Sequence, residues 1–276
     1  FSSLCEGVDV IFHLAAEARI QPTLEDPILA TKTNVVGTCS VLQAARENKV
    51  KRVVYSSTSS AYGLKNKCPL REDMPKDCLN PYSVTKTAGE ELCKMYTDLF
   101  GLETVSFRYF NVYGNGEEHK GEQASPYTKF SKQAVEDGLI TVFEDSDAYL
   151  RDFVCVDDIC RLHEKMFDVD QSDIFNVGTG NPVSFETVAQ TIANKYNAGI
   201  TYIPIPENIK FPTFVSKVSS SLPPPAIYLE AKTKSILLLQ ALNILFRSFG
   251  LNEPSALNIH KNSVSTLLIP SIKALP

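Results

Sequence analysis

The sequence predicts a doubly wound α/β fold on a parallel sheet, and three observations carry that expectation. Strand-like segments recur at Val8–Leu14, a continuous apolar run, and at Arg52–Ser56 and Glu103–Phe107. Two long stretches with helical spacing, Pro27–Asn48 and Pro81–Phe100, lie between them. Polar and glycine-bearing residues gather where the runs end, at His13–Glu17, Ser56–Thr58 and Arg108–Gly114. Strands covered on both faces read as continuous apolar runs, and strand–helix alternation is the rhythm of βαβ units. Ligands of such sheets bind beyond the carboxyl ends of the strands.

Each element has its own justification. Val8–Leu14 (VDVIFHL) is apolar and ends in small residues, which predicts a buried strand. Pro27–Asn48 places Leu29, Val36, Val41, Leu42 and Ala45 at helical spacing. Pro81–Phe100 is a second helix stopped by Gly101. From Asn115 to Leu150 the pattern loosens into one helix (Pro126–Asp137) and a short strand (Leu139–Phe143), a separate lobe over the strand ends. Asp157–Phe167 is expected as a helix, Ile174–Val177 as a strand, and Val183–Tyr196 as a helix capped by Ser184.

Composition narrows the function classes. The chain has 276 residues, 43% of them hydrophobic, enough for one large α/β domain with a smaller lobe. A net charge of −5 gives no reason to expect nucleic acid. Seven cysteines without CxxC or Cys/His spacing point away from a metal site and toward a reducing cytoplasm. No stretch reaches the roughly 18 apolar residues of a membrane span. Residues 211–276 stand apart: no Asp, two Glu, one Gly, twelve Leu and seven Pro. Caps, turn glycines and charged faces vanish together there, which marks an atypical tail, read as non-native sequence from a shifted frame; a divergent lobe is the alternative.

The first candidate chemistry is Tyr82–Ser83–Val84–Thr85–Lys86 at the start of the second helix. A spacing of four puts phenol and ammonium on one face. An ammonium beside a phenol favours phenolate and would draw its pKa toward neutrality, so that Tyr82 can serve as general base or acid on a substrate hydroxyl. Alone the motif is weak, since Tyr228 and Lys232 repeat it in the tail. Thr58, at the end of the run VVYSST and 24 residues earlier, sharpens it by offering a hydroxyl to the oxygen being oxidised. Arg151 is a candidate for phosphate or sugar, because guanidinium forks match phosphate oxygens; an ion pair with Asp152 is its plain alternative. Asp157 and Asp158 are read as structural at a helix start.

His13–Ala16 (HLAA), Asn34–Thr38 (NVVGT), Tyr55–Thr58 (YSST), Pro81–Lys86 (PYSVTK) and Arg108–Gly114 (RYFNVYG) together resemble extended short-chain dehydrogenases acting on nucleotide sugars. The resemblance runs from about Val8 to Lys210. It implies that Leu14, Ala15, Ala16 and Asn34 line the cofactor with Lys86 and Val112, and that Thr58, Tyr82 and Lys86 form the catalytic set. Asn111 and Val112 would border nicotinamide and substrate.

The second half is more narrowly similar to ADP-L-glycero-D-manno-heptose 6-epimerases, through His119–Gly121 (HKG), Phe143–Ser146 (FEDS), Arg151–Val154 (RDFV), Ile174–Gly180 (IFNVGTG) and Ile200–Lys210. That likeness implies a second acid/base in Lys120 and substrate contacts from Phe143, Glu144, Asp145, Ser146 and Arg151. A plain loop charge is the alternative for Lys120. Two departures divide the substrate reading: Glu122 replaces a small hydroxyl residue, and Ala18–Pro22 (ARIQP) resembles UDP-hexose 4-epimerases instead.

The resemblance further implies NAD or NADP as cofactor, a nucleotide sugar as substrate, and a homo-oligomer in the full-length parent. The pyrophosphate-binding glycine turn would precede Phe1, so the chain is expected to be a piece that binds dinucleotide weakly. Residues 1–115 would be a partial dinucleotide-binding domain, 116–150 and 184–210 a substrate lobe, and 151–183 a return to the sheet. An inactive, cofactor-poor remnant is the reading from another function class.

Overall fold

The computed structural model describes residues 2–167, 172–205 and, as backbone, 236–237. The elements begin with β1 (Val10–His13), α1 (Ile20–Glu25), α2 (Pro27–Thr31), a π-helical turn (Lys32–Val36) and α3 (Gly37–Glu47). There follow β2 (Arg52–Thr58), α4 (Pro81–Phe100), β3 (Glu103–Tyr109), β4 (Asn111–Tyr113), α5 (Pro126–Glu136) and β5 (Leu139–Phe143). The remainder is β6 (Leu150–Arg151), β7 (Phe153–Cys155), α6 (Val156–Lys165), β8 (Ile174–Val177), β9 (Val183–Ser184), α7 (Phe185–Tyr196), β10 (Gly199–Ile203) and β11 (Ile236–Leu237).

Five strands form one parallel sheet in the order β11-β1-β2-β3-β8. Successive strand residues point to opposite faces, and both faces here are covered. Ile11, Val53 and Tyr55 pack with Val41, Leu42, Ala45, Cys93 and Tyr96 from α3 and α4. Val10, Phe12, Val54, Val105 and Phe107 pack with Ile159 of α6 and with Met166. Val10–Phe12 of β1 and Val53–Tyr55 of β2 are accordingly apolar and buried, whereas along β3 the buried polar Ser106 and Arg108 alternate with Val105 and Phe107. A second cluster joins Ala134 of α5, Ile140 and Val142 of β5, and Ala189, Ile192 and Ala193 of α7.

Several details differ from the sequence reading. β2 and β3 each run two residues further than expected, because Thr58 pairs with Tyr109 and Ser57 with Arg108. Val183 and Ser184 are strand, paired antiparallel with β6, so α7 begins at Phe185, while Ser184 caps it by accepting from the Thr187 amide at 3.0 Å. β10 was not anticipated; it pairs in parallel with β5, Gly199 opposite Leu139. Leu29 and Val36 are 47% and 59% exposed, not core. The π turn inserts one residue into the helical path, so the apolar spacing across Asn34 does not describe one face. The atypical tail lies outside the described residues apart from β11, which pairs with β1 at Val10. Among the described residues no helix is long and apolar enough to cross a membrane.

Candidate active site

The site forms where the carboxyl ends of β1, β2 and β3 meet the amino end of α4. Local sequence fixes that end of α4. Asn80 accepts from the Ser83 amide at 2.9 Å, Ser83 in turn accepts from the Asn80 amide at 3.3 Å, and Pro81 supplies the first turn. Gly101, left-handed at φ 69°, ends the helix. Tyr82 and Lys86 are thus held one turn apart on a rigid helix.

Thr58 ends β2, buried, with its hydroxyl accepting from the Ser60 amide at 3.1 Å and close enough to the Tyr82 phenol to oppose its rise. Lys86 is 3% exposed, and its ammonium lies 4.4 Å from the centre of the Tyr55 ring. Burial pushes Lys86 down to about 8, against the opposing influence of Cys93 and Glu90. The expectation that Lys86 draws the Tyr82 phenol toward neutrality is corrected here. Burial raises Tyr82 above its ordinary value, and the groups opposing that rise are Thr58 and then Arg19. The helix spacing gives a shared face, but desolvation of the phenol outweighs charge at this end of the helix.

Tyr55 is the residue that sequence reasoning missed beneath this pair. Its ring, fully buried, carries Lys86 on one face, and its hydroxyl donates to the Lys86 carbonyl at 3.1 Å. Gly89 makes that approach possible, since a Cβ there would lie 2.2 Å from the Tyr55 hydroxyl oxygen. The glycine inside an otherwise regular helix was the available signal. Arg19 was missed as well. It sits at φ 80°, ψ 149°, a backbone region normally reserved for glycine, and its guanidinium donates to the Gln123 carbonyl.

The remaining candidates divide into two groups. Around the sheet ends, Leu14 is exposed at the end of β1 with Ala15 and Ala16 half-buried beside it. Asn34 is buried; its amide donates to the Thr85 hydroxyl at 2.9 Å and to the Glu17 carbonyl, and its oxygen accepts from the Glu17 amide at 2.7 Å. It therefore stitches the loop after β1 to α4. Asn111 donates from backbone and side chain to the Asp152 carbonyl, and Val112 is half-buried next to Val154 in the β4–β7 pair. Asp152 is fully buried and accepts from the amides of Thr179 and Gly180 at 2.8 Å each, which locks that turn. Arg151 lies over the Phe185 ring at 5.8 Å and donates to the Leu150 carbonyl at 2.8 Å; burial lowers its guanidinium from the ordinary value.

The second group lies farther out. Lys120, 42% exposed, pairs with Glu117 at 3.1 Å in a short 3-10 stretch. Glu117 is buried and also accepts from Ser125 at 2.5 Å and Thr128 at 2.8 Å; burial would raise its carboxyl, but these bonds and Lys120 hold it below the usual range. Phe143 ends β5, the Glu144 amide donates to the Ile203 carbonyl, and Asp145 sits at φ 60°. Ser146 donates to Glu186 of α7 at 2.7 Å. Among the described residues no hydrogen bond or ion pair links Phe143, Glu144, Asp145 or Ser146 to Tyr82, Lys86 or Thr58.

The sequence model of the NAD dependent epimerase/dehydratase family matches residues 2–178. The chain belongs to that family. Among relatives of this epimerase/dehydratase chain, a putative UDP-glucose 4-epimerase of Methanocaldococcus jannaschii is 32% identical over 191 residues, covering 69% of this chain and 62% of that protein. An ADP-L-glycero-D-manno-heptose-6-epimerase of Alkalilimnicola ehrlichii is 33% identical over 210 residues, covering 74% and 64%. This chain therefore spans under two thirds of the length of those relatives. The crystal structure of Thermus thermophilus UDP-glucose 4-epimerase in complex with NAD superposes with a TM-score of 0.66 at 27% identity, over 77% of this chain and 68% of the other.

The residues of this epimerase/dehydratase chain fit a dinucleotide. Among the described residues the buried Lys86 ammonium meets the Tyr55 face and donates no hydrogen bond, so its N–H groups are available to hydroxyls of a ligand. Exposed Leu14 and the small Ala15 and Ala16 border the same strand ends.

Proposed function

We propose that the protein is an NAD(P)-dependent nucleotide-sugar epimerase that works through a transient keto-sugar. The observation that carries this reading is the meeting of Thr58, Tyr82 and Lys86 at one strand end and one helix start, in a chain of the epimerase/dehydratase family. Tyr82, in its phenolate form, takes the proton of a sugar hydroxyl as hydride leaves and, then a phenol, returns it as hydride comes back, and the Thr58 hydroxyl fixes the reacting oxygen. Lys86 offers its ammonium to the ribose hydroxyls. The bound dinucleotide supplies hydride acceptance and return. Leu14, Ala15, Ala16, Asn34 and Val112 border the cofactor in this reading, and Asn111 the substrate. Arg151 receives a phosphate or sugar oxygen.

The finer reading is inversion of ADP-glycero-manno-heptose at C6, with Lys120 serving the opposite face of the ketone and Phe143–Ser146 contacting the sugar. The HKG segment and the heptose-epimerase relative support it. A UDP-hexose 4-epimerase is the second reading, favoured by the Glu117 carboxylate that already engages Lys120 and by the UDP-glucose 4-epimerase relative. The protein with NAD or NADP is assayed on ADP-D-glycero-D-manno-heptose and on UDP-glucose, beside Tyr82→Phe. Turnover of one sugar, falling about 10²-fold in the variant, is expected. Activity on either sugar that Tyr82→Phe leaves intact removes Tyr82 from the mechanism.

A further inference from the structure

Behind α4 lies a cluster of charge that the chemistry above does not use. Glu90 is 1% exposed and accepts from Arg108 at both oxygens, 2.8 Å each, from the Ser57 hydroxyl at 2.5 Å and from the Lys76 ammonium at 3.1 Å. Arg108, equally buried, lies 4.8 Å from the centre of the Tyr62 ring, whose hydroxyl donates to Asn176 of β8 at 2.6 Å. The paired fork geometry is the strong form of an Arg–carboxylate contact. Yet a buried ion pair is weak ground for stability, because desolvation offsets much of the attraction. Position supplies a role instead. Ser57 directly precedes Thr58, and Glu90 follows Lys86 by four residues, on the same helix face.

We propose that Glu90 is a positioning residue: anchored by Arg108, its carboxylate ties the Thr58 end of β2 to α4 and keeps the Lys86 ammonium charged. This rests on the reading of Thr58, Tyr82 and Lys86 given under the proposed function. The groups around Lys86 leave Glu90 as its anion. On α4, burial raises the Tyr82 phenol above its ordinary value and pushes the Cys93 thiol to about 12. On β2, burial holds the Tyr55 phenol well above the ordinary range. Tyr55 and Cys93 are therefore neutral at working pH, and Tyr82 is charged only in the phenolate fraction that starts the reaction. Glu90 differs: burial opposes its charge, but Arg108, Ser57 and Lys76 hold the carboxyl below its usual value. A lysine buried this deeply loses its proton near neutrality without such a partner.

The test is Glu90→Gln in the full chain, with Lys86 followed directly through 13C-labelled lysine side chains, its resonance identified by its loss in Lys86→Met. The Lys86 titration midpoint is expected to fall by about one unit or more, since the carboxylate is gone and Arg108 is left uncompensated. Turnover at pH 8 should then drop about fivefold with KM little changed, as the protonated fraction falls. Glu90→Asp should restore both. Glu90→Gln leaves a buried unpaired guanidinium, so Glu90→Gln with Arg108→Met is the second variant, expected to show the lowered midpoint in a folded protein. Ser57→Ala, which keeps both charges, should reduce turnover while leaving the midpoint in place. An unchanged Lys86 midpoint in either folded Glu90 variant overturns the proposal, as does a lowered midpoint with an unaltered pH profile. If the midpoint falls as expected but no nucleotide sugar is turned over by the parent protein, the functional reading fails and the electrostatic coupling stands.

Discussion

Gly89→Ala separates two opposite expectations about α4. In an exposed helix interior, replacing glycine by alanine stabilises a protein by about 1 kcal/mol, through lower backbone entropy in the unfolded chain. At Gly89 the added Cβ would stand 2.2 Å from the Tyr55 hydroxyl oxygen and 2.4 Å from the ring carbon that bears it. The nearest side chain is thus a fully buried ring, not the end of a flexible one. Tyr55 must withdraw by more than an ångström, which is overpacking at a cost of about 1–3 kcal/mol, and its bond to the Lys86 carbonyl weakens by about 1 kcal/mol. After the helix-propensity gain, the net is a destabilisation of about 1–3 kcal/mol, or roughly 3–10 °C in Tm for a chain of this size. The displaced ring also carries Lys86, 4.4 Å above it, so turnover should fall beyond what lost stability explains. Urea and thermal unfolding, followed by turnover at a temperature where both proteins are folded, measure the two effects. A rise in Tm would refute the placement of Tyr55 against Gly89 and the derived support of Lys86.

His163 gives a pH prediction. Burial pushes it down to about 4 from an ordinary 6.5, while it shares a 2.6 Å hydrogen bond with Tyr109. The unfolded chain therefore binds the proton first, so the stability it contributes is present above pH 6.5 and is lost as pH falls toward 4, about 1–2 kcal/mol of it by pH 5. Urea midpoints at pH 7.5 and pH 5 should differ by that much more in the parent than in His163→Phe; equal differences would show a solvated ring. Lys120→Met tests the substrate reading: a loss of about 10²-fold in turnover of ADP-heptose, comparable to Tyr82→Phe, is expected if Lys120 is the second acid/base. Unchanged turnover of UDP-glucose in that variant decides for the 4-epimerase.

What the sequence made legible is what short spans of chain encode. α4 was read to the residue because both its ends carry local chemistry, Pro81 at the start and Gly101 at the stop. β1 and β2 were legible because a sheet covered on both faces gives them short apolar runs, Val10–Phe12 and Val53–Tyr55. The short strands β4, β6 and β7, and β10 and β11, were not anticipated. Thr58, Tyr82 and Lys86 could be proposed as one set because one strand end and the next helix start hold all three. Tertiary partners were not legible. Arg108 and Glu90 meet across β3 and α4, Arg19 reaches Gln123 from 104 residues away, and β10 pairs with β5 across the intervening helices. No local pattern announces such pairings. The direction of the Tyr82 shift failed for the same reason: residue spacing places charges on a face, but burial depends on everything packed above it.

The π turn at Lys32–Val36 has a consequence for insertions and deletions. Each residue of an α-helix advances its neighbours by about 100°, so this turn acts as a phase correction between α2 and α3. It lets Asn34 aim its amide at Thr85 while Val41, Leu42 and Ala45 still face the sheet. A single-residue deletion between Lys32 and Val36 would give a regular helix with better hydrogen bonds, but turned by about a quarter of a revolution against its own core. The chain tolerates a less regular backbone here because two surfaces on one rod must be served at once, and a strictly periodic rod can serve only one of them.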